Sequence, residues 1–118
     1  MFKEILQDIV ERTDGSVAGL LMASDGIAID QYASGDGPFD VESVGMEYSV
    51  VLKGIQRAAE MLDTGTTEEV SVKTERLTTV VRMLSEEYFI AVTLEPGGNV
   101  GKARYMMRVR APELVENL

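Results

Sequence analysis

Residues 40–62, DVESVGMEYSVVLKGIQRAAEML, read at about 100° per residue as one long helix with two separate uses. Val41, Val44, Tyr48, Val51, Leu52, Ile55, Ala59 and Leu62 fall on one broad apolar stripe, the side expected to lie on a sheet. A helix that only roofed a monomer would be polar on its other side. Here Met46, Val50 and Met61 stand on that side beside Lys53 and Arg57, with Gly54 and Ala58 on the flank. An apolar strip holding basic residues reads as a surface on which something docks. Scattered surface Met and Val are also ordinary, since folded surfaces are largely apolar, so the residues alone leave both readings open.

Upstream, Phe2, Ile5, Leu6, Ile9 and Val10 keep the i, i+3, i+4 spacing of an amphipathic helix, and Asp14-Gly15 is its expected stop. VAGLLMA, 17–23, is a near-continuous apolar run, the pattern of a strand covered on both faces. Ser24-Asp25-Gly26 makes a turn, and IAIDQYA, 27–33, alternates like an edge strand, so the pair predicts a hairpin. Ser34–Phe39 is a loop, and Asp40 sits where a helix N-cap belongs.

Downstream, Asp63–Thr67 is a stop and turn. EEVSVKT (68–74), LTTVVRML (77–84) and YFIAVTLE (88–95) are three strands joined by tight turns. The last is apolar almost throughout and belongs in the middle of the sheet. After Pro96-Gly97-Gly98, Asn99 caps a final helix with Val100, Ala103, Met106, Met107 and Leu114 inward and Lys102, Arg104, Arg108 and Arg110 outside. Pro112 predicts a kink or fresh start, after which Leu114, Val115 and Leu118 resume the apolar spacing. Helix, two strands, helix, three strands, helix make one α+β layered domain over residues 1–118.

Twenty acidic residues against eleven basic ones give a net charge of −9, which disfavours a nucleic-acid partner and an anionic membrane surface. No run approaches the roughly 18 apolar residues of a spanning helix, and MFKEILQDIVER is too charged for a secretory signal, so a cytoplasmic location is expected. The chain has neither Cys nor His, which removes thiol chemistry and the commonest general base and metal ligand. Gly98-Asn99-Val100-Gly101-Lys102 comes nearest to a phosphate loop, but Ala103 stands where the magnesium-binding hydroxyl is needed and the glycine spacing is wrong. Carboxylate pairs such as Glu68-Glu69, Glu86-Glu87 and Asp36 with Asp40 lie in turns or at element ends, where solvated charge explains them. No EF-hand pattern and no nucleophile elbow is present. No enzyme, metal or cofactor is expected. An arginine given in trans can still assist a partner's phosphoryl transfer, and Arg57 or Arg76 would be the candidates by position.

The first helix FKEILQDIVER, the hairpin VAGLLMASDGIAID, the long second helix and the tail LEPGGNVGKARYMMRVRAPEL together resemble the roadblock (dynein light chain) domain, and more narrowly its bacterial MglB-like members. The resemblance spans essentially the whole chain; SDGIAID and GKARYMMR followed by Ala-Pro are its most specific parts. It implies the roadblock/profilin-like order α-β-β-α-β-β-β-α, a five-stranded antiparallel sheet with helices on both faces. It implies a homodimer in which the third strand pairs with its twofold mate and the second helices lie side by side. Gly54, Ala58, Val70, Val72 and Thr74 would then form the dimer interface, an open edge strand being a place where pairing is invited. It further implies a small Ras-like GTPase as partner, with Met46, Val50, Lys53, Arg57 and Met61 as the contact strip and no catalytic residue on this chain. Three functions follow in order: a regulator that orders the GTPase's switch loops, a dimeric scaffold of the dynein light chain type, and a small-molecule sensor.

Overall fold

Side chains on neighbouring strand positions point to opposite faces, so a strand apolar at every position must be covered twice. The middle strands of this protein are built that way, and two cores result. The computed structural model describes every residue except Asp36 and Pro38. It contains α1 (Phe2–Glu11), β1 (Ser16–Ala23), β2 (Ala28–Ala33), α2 (Val41–Met61), β3 (Glu69–Lys73), β4 (Thr78–Met83), β5 (Tyr88–Leu94) and α3 (Val100–Glu116). The five strands form one antiparallel sheet in the order β2-β1-β5-β4-β3. The fold is the α+β roadblock/profilin-like one, and β5 is its central strand as its composition demands.

On one face, Leu21 of β1, Val80 of β4 and Ile90, Val92 and Leu94 of β5 meet α1 and α3 through Ile5, Leu6, Ile9, Met107 and Leu114. On the other, Leu20 and Met22, Val81, and Phe89 and Ala91 pack beneath Val41 and Leu52 of α2. Each large aliphatic side chain removed from water contributes about 2 kcal/mol, so the two layers together supply most of the drive to fold. Caps mark the starts of the two long helices. The Asp40 carboxylate accepts from the Ser43 N–H at 3.3 Å, and the Asn99 amide oxygen accepts from the Lys102 N–H at 3.0 Å.

Several boundaries differ from expectation. The first helix ends at Glu11 with Arg12 as its cap, and Gly15 (φ +82°) serves the turn into β1 instead. The second helix stops on Asp63 (φ +56°): the Thr64 N–H reaches the Ala59 carbonyl and the Asp63 N–H the Glu60 carbonyl, the paired bonds of a left-handed helix stop. The last helix runs through Pro112 to Glu116 as one element, and Val115 and Leu118 are exposed; Lys102, Arg104 and Arg110 are half-buried. Of the Ser34–Phe39 loop, Asp36 and Pro38 lie outside the described residues, and with Asp36 the Asp36–Asp40 pair.

The largest correction concerns which side of α2 is seated. Val41 and Leu52 are buried as expected and Val44, Tyr48, Ile55 and Ala59 half-buried, but Val51 and Leu62 face solvent. Gly45 and Ser49 take their place against the sheet. A Cβ on Gly45 would come within 2.1 Å of Leu20 Cδ2 and 3.0 Å of Met22 Cε, so the glycine lets the helix axis lie close to β1. Gly45→Leu is expected to lower stability by about 2 kcal/mol, overpacking outweighing the gain in helix propensity. Denaturant titration checks it; an unchanged midpoint would mean that the helix has room to rise.

Candidate functional site

Seating α2 on its Gly45–Ser49 side leaves its opposite side bare. Met46, Val50, Lys53, Arg57 and Met61 follow one another at helical spacing, and all five are exposed, Val50 at 70% and Met61 at 81%. Gly54 and Ala58 form the adjoining row, also exposed, and a Cβ on Gly54 would meet nothing within 4 Å. Val51 and Leu62, which the hydrophobic pattern had assigned to the core, extend the patch on the far flank. The two sets of α2 residues singled out from the sequence therefore share one continuous surface. Among the described residues neither Lys53 nor Arg57 has a carboxylate within 4 Å, so both cations are available to a partner. Arg76, the other candidate arginine, lies over the Phe39 ring at 5.3 Å. It borders an apolar hollow of about 510 Å³ between α2 and the β3–β4 turn, with Val44, Tyr48 and Leu77 in its lining.

The second feature is the β3 edge. β3 pairs only with β4 among the described residues, Val70 opposite Val81 and Val72 opposite Thr79. The Glu68 carbonyl accepts from the Met83 N–H and the Thr74 N–H donates to the Leu77 carbonyl. Alternation then gives the backbone groups of Val70 and Val72 to β4 and turns those of Glu69, Ser71 and Lys73 outward. Val70 and Val72 stay half-buried on the α2 side, because α2 packs chiefly on β1 and β2 and leaves the β3 end of that face thinly roofed. Thr74 lies just beyond the strand, where its hydroxyl also donates to the Leu77 carbonyl (2.8 Å) and closes the hairpin.

Sequence reasoning missed Arg104. From α3 it donates to the Glu69 carboxylate at 2.9 Å and to the Ser71 hydroxyl at 3.0 Å, so it props the edge strand from below. An alternating side-chain pattern on β3 was the available signal, since Glu69 and Ser71 had to face the α3 layer. Arg104→Ala should cost about 1 kcal/mol, the partly exposed pair being screened by solvent, and should speed amide exchange in β3. Unchanged exchange there would remove the strut role. Among the described residues no group of three or more acidic side chains could hold a metal, and no helix is long and apolar enough to cross a membrane.

A five-stranded sheet with this order, one long helix on one face and two on the other, defines a domain of the roadblock type. No family model matches the chain, nor does any curated protein. Among solved structures, MglC from Myxococcus xanthus is 37% identical over 98% of this chain and 97% of its own, with a TM-score of 0.69. An MglB with a tetrameric arrangement matches with a TM-score of 0.85 at 17% identity, over 96% of this chain and 84% of that one. A Roadblock/LC7 domain from Streptomyces avermitilis matches at 0.83 and 15% identity, over 95% and 92%. The last two likenesses carry the fold alone. The chain belongs to the roadblock family, and in sequence it is similar to MglC more than to MglB.

Proposed function

We propose that this chain is a non-catalytic, cytoplasmic homodimer that regulates a small Ras-like GTPase through its paired second helices. The exposed apolar face of α2, with Lys53 and Arg57 set in it, is the observation that carries the reading. A helix seated on the sheet by one side and apolar on the other has a second surface to cover. The outward amides and carbonyls of Glu69, Ser71 and Lys73 favour strand pairing between two copies, which would bring the two α2 faces together above a continued sheet. A GTPase resting on that pair would have its switch segments held, an ordering effect that requires no reactive group from this chain. Met46, Val50, Lys53, Arg57 and Met61 would make the contact.

The test is GTP hydrolysis by the cognate GTPase with and without this protein, together with binding in the GDP state and with a GTP analogue. Acceleration, or binding that depends on the nucleotide, is expected. If neither effect is seen the proposal falls, and binding indifferent to nucleotide would favour the scaffold. If Arg57→Ala alone abolished acceleration, an inserted arginine would replace loop ordering as the mechanism.

A further inference from the structure

α3 also has two sides. Ala103, Met106, Met107 and Leu114 are buried, while Tyr105 (50%), Val109 and Val115 face outward with Pro112 between them. Beside this outer stripe a hollow of about 510 Å³ opens between α3 and the end of β4. Met83, Leu84, Ala111, Pro112 and Val115 give it apolar walls, Arg82 and Arg108 also line it, and Glu116 is the one carboxylate among the lining residues. The face lies across the sheet from α2, so it is separate from the surface assigned to the GTPase and does not depend on that reading.

Charge decides what the face accepts. The protein carries −9 overall, yet residues 100–112 hold Lys102, Arg104, Arg108 and Arg110 and no acidic residue. Arg104 is engaged by Glu69 and Ser71, and Arg110 by Asp8 and Glu113. Arg82 stands opposite Glu69 in the β3–β4 ladder, but that carboxylate is held by Arg104. Among the described residues neither Arg82 nor Arg108 has a carboxylate within 4 Å; the Arg108 guanidinium lies over the Tyr105 ring at 5.8 Å. Two guanidiniums with no carboxylate partner among the described residues, beside an apolar hollow, match a ligand that brings carboxylates and an apolar side chain together, since each fork can take a carboxylate through paired N–H donors.

We infer that the outer face of α3 and the adjoining hollow dock an acidic segment of another protein, its carboxylates on Arg82 and Arg108 and an apolar anchor among Leu84, Pro112 and Val115. A membrane or a nucleic acid extends over many charges and meets the acidic remainder of the surface, whereas a short peptide meets only the local patch.

The probe is a synthetic peptide repeating Asp-Glu-Leu-Phe, titrated into the isotope-labelled full chain and compared with its Lys-Arg-Leu-Phe counterpart by amide NMR. The acidic peptide should shift resonances of residues 82–84 and 101–118 and leave α2 and β3 unmoved. Arg108→Glu should weaken binding about tenfold without changing the melting temperature, and Arg82→Gln should act in the same direction. Raising salt from about 0.05 M to about 0.5 M should weaken it as well. Equal binding of both peptides, no binding, shifts centred on α2, or affinity untouched by Arg108→Glu would each overturn the inference. Binding to phosphatidylglycerol vesicles in place of the peptide would overturn it too.

Discussion

Gly15→Ala is expected to destabilise the fold by about 3 kcal/mol, a fall in melting temperature of roughly 10 °C. Gly15 sits where the α1–β1 turn crosses the β5–α3 turn. The Glu95 N–H donates to the Gly15 carbonyl at 2.8 Å, and the Asn99 N–H to the Asp14 carbonyl at 2.8 Å. A Cβ at Gly15 would come within 2.4 Å of Gly98 Cα. That neighbour is backbone, pinned by the same hydrogen bonds, and cannot swing aside as the Leu20 and Met22 tips near Gly45 can. The left-handed φ of +82° adds about 1 kcal/mol for any residue with a Cβ. Gly65→Ala is the control, because Gly65 shares a positive φ (+93°) but has nothing within 4 Å. It should show the conformational cost alone. Equal losses at both positions in calorimetry would mean that the crossing at Gly15 is not tight.

Gly54→Arg is expected to weaken self-association about a hundredfold, which is about 2.7 kcal/mol. Within one subunit a Cβ at Gly54 would meet nothing within 4 Å, so its lack of a side chain matters only to a second molecule coming close to α2. Arginine is also a better helix former than glycine by close to 1 kcal/mol, so the isolated subunit should melt slightly higher. Association and subunit stability thus move in opposite directions, a pattern that general misfolding cannot produce. Sedimentation velocity over a concentration series reads the first quantity, and thermal melting at low concentration the second. Retained association would place the contact elsewhere, and the α2 assignment would go with it.

Much of this architecture could be read directly from residue order. The apolar runs of β1 and β5 had to be covered on both faces, and they are. Asp40 and Asn99 had the right chemistry for caps and act as such. The seating of α2 was less legible for a specific reason. Hydrophobic periodicity weighs greasy residues, whereas a helix lying close to a sheet needs small ones, and Gly45 and Ser49 carry little hydrophobic signal. The pattern therefore drew Val51 and Leu62 inward when they belong to the exposed face. The same limit hid the outer side of α3: of Leu114, Val115 and Leu118, which continue the apolar spacing, only Leu114 is in the core. Pro112 suggested a kink or a fresh start, and α3 runs through it as one element. Arg104 escaped because its partners are 35 and 33 positions away, on a strand whose facing was not followed through. The exposed α2 strip and the β3 edge were both visible as anomalies, the first as apolar residues on a polar side, the second as an unclosed strand.

The account rests on two chains meeting through β3 and α2 to make one platform. Sedimentation equilibrium of the unmodified protein at micromolar concentration measures this most directly. A mass twice the 12.9 kDa of one chain is the predicted result. A single-chain mass that persists as concentration rises would contradict it.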